Sequence, residues 1–183
     1  MKPFLKVTKS DKFSDVQKTT TTTDKIFISG LSFNLRHILI EDEDILLLDV
    51  LQINQSFMML GISNGVLILN INNSKNIELE VGENFADSAS VHKVNNITFH
   101  CESAYYELSK DILEEICEAK SLAMKIVGSN SSKVLKNTEK FLNYCRKFYN
   151  QFYDNTKYPE TADMKIYTLR DRIEILTGKL FGF

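Results

Sequence analysis

Two hydrophobic periods divide this chain, and the change between them limits the folds open to it. Up to Tyr106, apolar side chains recur mainly at every second residue or in short unbroken runs; from Ser109 onward they recur mostly at steps of three and four. The first period marks a face of a β-strand, the second a face of an α-helix. Strands early and helices late predict an α+β fold. The expected architecture is a mainly antiparallel β meander over residues 1–106, then helix, strand, helix and helix, with the helices packed on one sheet face. At 183 residues, a single domain with a β-rich part (1–106) and a mainly helical part (107–183) is expected.

In the first part, Phe4, Leu5 and Val7 suggest a short strand. The five threonines Thr19–Thr23 are β-branched and favour extended backbone, so they read as an edge strand or extended arm, with a surface loop as the alternative. Strands are expected at Ile26–Ile28 and Leu31–Ile40, punctuated by Gly30, with Leu31, Phe33, Leu35, His37 and Leu39 on one face. The unbroken run Ile45-Leu46-Leu47-Leu48 suits a central strand covered on both sides. Asn64-Gly65 predicts a type I′ hairpin between Phe57–Ser63 and Val66–Asn72, because both central positions of that turn need positive φ. A turn at Asn72–Asn76 and a strand at Ile77–Val81 come next, then a hairpin around Asn95-Asn96.

In the second part, Ser109 is suited to cap a helix running to about Lys120, with Leu108 and Leu113 placed as a hydrophobic staple. Leu122–Val127 reads as a short strand. A long helix is expected from about Lys133 to Tyr153, striped by Val134, Thr138, Phe141, Cys145, Phe148 and Phe152. A last helix, Asp163 to Lys179, is striped by Ile166, Leu169, Ile173, Leu176 and Leu180. The alternating steps of four and three form a heptad-like seam on each.

Composition excludes several classes. A chain 43% apolar and 25% charged is globular rather than disordered. A net charge of −2 is not that of a dedicated nucleic-acid binder. The three cysteines Cys101, Cys117 and Cys145 include no C-x-x-C pair, which points to free thiols in a reducing compartment. The N-terminus has no apolar signal region, and no run approaches the roughly 20 residues of a membrane-spanning helix. A cytoplasmic location, away from membranes, is the expectation. Phosphate-loop, dinucleotide-binding and serine-hydrolase motifs are absent, so no cofactor is called for and an enzyme is disfavoured.

Each candidate for chemistry has a plainer reading beside it. His92 and His100 have nearly equal offsets from the Asn95-Asn96 turn, so a hairpin that brought them side by side would offer imidazoles to a metal, with a metal-dependent enzyme or small-ligand binder as the consequence. Two ordinary strand histidines are the plainer account. Glu41-Asp42-Glu43-Asp44 places four carboxylates in a row but lacks calcium-loop spacing; a solvated hairpin tip fits better. Lys133, Lys136, Lys140, Arg146 and Lys147, interleaved with Tyr144, Tyr149 and Tyr153, form a basic aromatic helix face that would grip nucleic acid, or simply face solvent. Phe181 and Phe183 either cover the core or dock on a partner.

The stretch Tyr105–Lys120, continuing through Met124-Lys125-Ile126-Val127-Gly128, resembles a segment of uncharacterised bacterial proteins. These also tend to carry an Asp-Lys-Phe start followed by threonines, as do Asp11-Lys12-Phe13 and Thr19–Thr23. The resemblance implies a bacterial or phage origin and assigns no residue a role.

The expectation that follows is a non-enzymatic binding or interaction protein acting through a protein partner. Excess apolar surface on the helix pair would make a homodimer, with Leu169, Ile173, Leu176, Phe181 and Phe183 as the interaction surface.

Overall fold

The computed structural model describes residues 4–10, 17–41, 43–55, 59–82, 88–94, 96–154 and 157–158. Among them the chain forms eleven strands: β1 (Leu5–Lys9), β2 (Lys18–Thr23), β3 (Ile26–Ile28), β4 (Leu31–Ile40), β5 (Glu43–Asn54), β6 (Val66–Ile71), β7 (Lys75–Glu80), β8 (Ser88–Val94), β9 (Ile97–Glu107), β10 (Leu122–Val127) and β11 (Ser132–Leu135). Two helices, α1 (Lys110–Glu118) and α2 (Glu139–Phe152), accompany them. All the pairings are antiparallel.

The strands make two sheets. The larger has the order β1-β2-β4-β5-β9-β8, with β3 also on β4; the smaller has the order β11-β10-β6-β7. This corrects the expected single meander followed by helix, strand, helix and helix. The described chain is mostly antiparallel β: β10 returns from the helical part to pair with β6, and β11 pairs with β10. Two-residue alternation was the clue: Leu122, Met124 and Ile126 are buried with Leu67, Leu69 and Ile71 on one face of the small sheet. The inner faces of both sheets and the apolar faces of α1 and α2 meet in one core. The helices therefore share their core with two sheets rather than one.

Several local expectations hold. Leu46, Leu47 and Leu48 are all buried, so burial reaches both faces of β5, a central strand between β4 and β9. Ser109 caps α1, its Oγ accepting the Ile112 N–H at 3.1 Å. The β8–β9 hairpin turns at Asn96, whose φ is 64°.

Three do not. The Asn64-Gly65 hairpin is absent: Ile62–Asn64 is one 3-10 turn, and Gly65 sits in extended backbone at φ −106°. Gly65 serves close approach, since a Cβ there would lie 2.7 Å from the Val127 carbonyl oxygen. The positive-φ pair occurs instead at Asn72 (54°) and Asn73 (55°), in the turn closed by Ser74 N–H on the Ile71 carbonyl at 3.0 Å. The long helix begins at Glu139 instead of Lys133, because Ser132–Leu135 joins the small sheet and Asn137 reverses the backbone with φ 61°. Val134, read as a helix stripe residue, is 66% exposed on β11. The threonine run is a strand but not an edge, since β1 covers it.

Candidate functional site

The strand opposite β4 is broken in one place, and the break builds the site. Thr22 pairs with Arg36 and Ile26 with Phe33, so Thr23, Asp24 and Lys25 face only Asn34 and Leu35. One extra residue is a β-bulge, a device that re-aims side chains and often borders functional sites.

Side-chain hydrogen bonds secure the bulge from the core side. Thr23 Oγ1 accepts the Leu35 N–H at 2.9 Å, replacing a lost rung of the ladder. The buried Tyr144 hydroxyl of α2 touches Thr23 Oγ1, accepts from Leu35 N–H at 3.1 Å and donates to the Asp24 carbonyl at 2.9 Å. The Leu35 N–H and the Asp24 carbonyl, opened by the bulge on this side, both have partners, as buried polar groups require.

On the opposite face a cleft of about 470 Å³ opens, lined by Lys6, Lys25, Asn34, Arg36, Asp49 and Tyr105 among others. Alternation along β4 and β5 puts Ser32, Asn34, Arg36 and Asp49 on this face, away from the core. Asp49 is only 8% exposed. Its Oδ2 accepts from Arg36 at 2.5 Å and from Asn34 Nδ2 at 3.1 Å. The Arg36 guanidinium also lies 5.2 Å from the centroid of the Tyr105 ring, a cation–π distance that fixes its plane. Lys6 pairs with Asp24 at 2.8 Å.

This face is not saturated. Ser32 Oγ, Arg36 Nε and Asp49 Oδ1 are buried with no hydrogen-bond partner among the described residues. Lys25 Nζ makes no hydrogen bond or ion pair among them. Burial raises the Asp49 pKa against the opposing effect of Arg36. Burial lowers the Lys25 pKa, opposed by Asp49 and reinforced by Arg36. Perturbed titratable groups converging in a cleft are the physical signature of a binding or reacting site.

The residues singled out from sequence lie elsewhere. His92 pairs with Phe99, and Val91 with His100, so the two histidines occupy opposite faces of the β8–β9 hairpin. His92 is exposed, with Nε2 3.0 Å from Ser90 Oγ. No group of three metal-ligating side chains forms among the described residues. Of the carboxylate row, Glu41 follows β4 and Glu43 and Asp44 open β5, where Asp44 Oδ1 meets the buried His37 Nε2 at 2.5 Å; Asp42 lies outside the described residues. The basic aromatic face is dispersed. Lys133 lies on β11 and Lys136 precedes the helix, while Tyr144 and Tyr149 are buried. Arg146 donates to the carbonyls of Cys117 and Ala119, both at 2.8 Å, at the end of α1. Cys117 and Cys145 are free and buried in the core. The seam residues Leu169, Ile173 and Leu176, with Phe181 and Phe183, lie outside the described residues.

Sequence reading passed over the cleft although it left a trace. Asp49 is the one carboxylate inside the apolar run from Ile45 to Ile53. A charge embedded in a central strand implies a paired, desolvated group. The bulge that brings Lys25 to it has no local signature.

No helix among the described residues is long and apolar enough to cross a membrane. A scan against protein-family models, a search of curated proteins and a search of solved structures each returned no match.

Proposed function

We propose that this chain is a non-enzymatic binding protein that holds a small polar ligand in the cleft on the outer face of its large sheet. One observation carries the reading: the partly buried Asp49–Arg36 pair opens onto the cleft beside Lys25, an ammonium that feels the Asp49 charge but makes no ion pair or hydrogen bond of its own among the described residues. An ion network serving only stability closes on itself, because an uncompensated desolvated charge is costly. The cleft has the size of a small-molecule site, and neither histidine nor cysteine is among its lining residues. Asp49 is already bonded to Arg36 and Asn34, which favours holding a ligand over shuttling a proton.

Two-dimensional amide NMR against a set of charged and neutral polar fragments tests this. Hits should move the signals of Lys25, Arg36, Asp49 and Tyr105. Hits that gather elsewhere on the molecule, or a set with no hits, would defeat the proposal.

A further inference from the structure

We infer that the ligand of this cleft is a small, singly charged oxyanion, a carboxylate or a phosphate monoester monoanion, seated on the Lys25 ammonium; the inference deepens the reading above and rests on it. The charges lining the cleft are Lys6, Lys25 and Arg36 against Asp24 and Asp49. Lys6 is matched by Asp24 at 2.8 Å and Arg36 by Asp49 at 2.5 Å. One positive charge is left over, and it belongs to Lys25. An anion entering the cleft supplies the missing counter-charge and forms a charge-assisted hydrogen bond where solvent screens it weakly.

The same geometry limits the charge and size of the guest. Asp49 stands close enough to Lys25 to influence it electrostatically, so an entering anion meets repulsion from that carboxylate that grows with each negative charge, while the lining offers a single surplus positive charge to offset it. Arg36 is held between Asp49 and the Tyr105 ring and is not free to swing out as a second clamp. The Leu51 side chain adds an apolar wall suited to a short carbon skeleton beside the anionic group.

Titration at constant ionic strength, followed by amide NMR near pH 6.5, separates the outcomes. The probes are sodium acetate, inorganic phosphate and uncharged acetamide. In the wild type, acetate or phosphate should give saturable shifts at Lys25, Arg36, Asp49 and Tyr105, and acetamide none. Lys25→Gln should weaken binding about tenfold or more, the worth of a charge-assisted bond. Lys25→Arg should largely restore it. Asp49→Asn, which removes the neighbouring negative charge, should tighten it several-fold. A preference for acetate assigns the carboxylate and a preference for phosphate the phosphate ester. Acetamide binding as well as acetate, with Lys25→Gln unchanged, would overturn this inference while leaving a ligand cleft in place. Silence of the cleft toward these probes and toward every fragment would overturn both.

Discussion

β4 carries a buried polar cluster on each of its faces, and the two clusters differ in kind. On the core side, Tyr144, Thr23, Leu35 and the Asp24 carbonyl satisfy one another. On the outer side, Asp49, Arg36 and Ser32 keep buried atoms without partners among the described residues, and Lys25 stands beside them within the field of Asp49 but without an ion pair of its own among those residues. Saturation makes the first cluster a structural device, since closed networks rigidify a core. Incompleteness makes the second a candidate site, since each unsatisfied buried group needs a reason. Both hang on the same bulge: Tyr144 holds the backbone that presents Lys25.

The largest effect should come from the core side. Phe148→Ala, deleting a fully buried ring that stacks on Phe152, should cost about 3–5 kcal/mol in urea unfolding. A loss below about 1 kcal/mol would mean the core is looser than its burial implies.

Tyr144→Phe should cost about 1–3 kcal/mol, since the Asp24 carbonyl loses its donor. It should also broaden or shift the Lys25 amide signal, although the two side chains lie on opposite faces. An unchanged Lys25 signal would separate the clusters.

The outer cluster should behave oppositely. The double substitution Arg36→Leu with Asp49→Leu should leave stability within about 1 kcal/mol of the wild type or above it, because desolvation offsets much of the attraction in a partly buried pair. A loss of about 3 kcal/mol or more would reclassify the pair as structural.

Lys25→Met should leave the melting temperature unchanged or slightly higher while removing anion binding, as expected where a functional group is kept at some cost to stability. A clear fall in melting temperature would argue for a structural lysine.

The smallest effect is a pH slope. The folded protein holds the Asp49 proton more tightly than the unfolded chain, whose carboxyl titrates near 3.8. The stability this contributes is present below that value and is lost as pH rises through the folded pKa. Urea unfolding from pH 3 to 7 should therefore show Asp49→Asn gaining on the wild type as pH rises. The opposite trend would mean that Arg36 outweighs burial.

Much of the local structure was legible. Alternation identified β4, short apolar stretches and turn residues located β3, β6, β7, β9 and β10, and the Ser109 cap located α1. Errors arose where two readings of the same residues were compatible. Val134 and Thr138 fit a helical stripe extended backward from Phe141, but Ser132–Leu135 gains more by pairing with β10. Asn64-Gly65 fits a type I′ turn, but Gly65 is needed where the Val127 carbonyl presses on it. His92 and His100 are near-equidistant from their turn, yet a one-residue offset in register reverses the face of a side chain. Of the cleft, only Asp49 left a trace in the sequence, as a carboxylate in an apolar strand, and that trace went unread.

The sequence by itself determined most of the segments that extend or coil and which of their faces are apolar, because period, capping and propensity act between residues close along the chain. It determined a core rich in Phe, Leu and Ile and marked one carboxylate as out of place. Only the tertiary structure decided that the strands divide into two sheets, that the threonine run is covered by β1, and that Lys25 meets Arg36 and Asp49. These depend on strand pairing and on a bulge of a single residue. Which strands pair is settled by the burial available to the whole chain, and no local stretch of sequence contains that information.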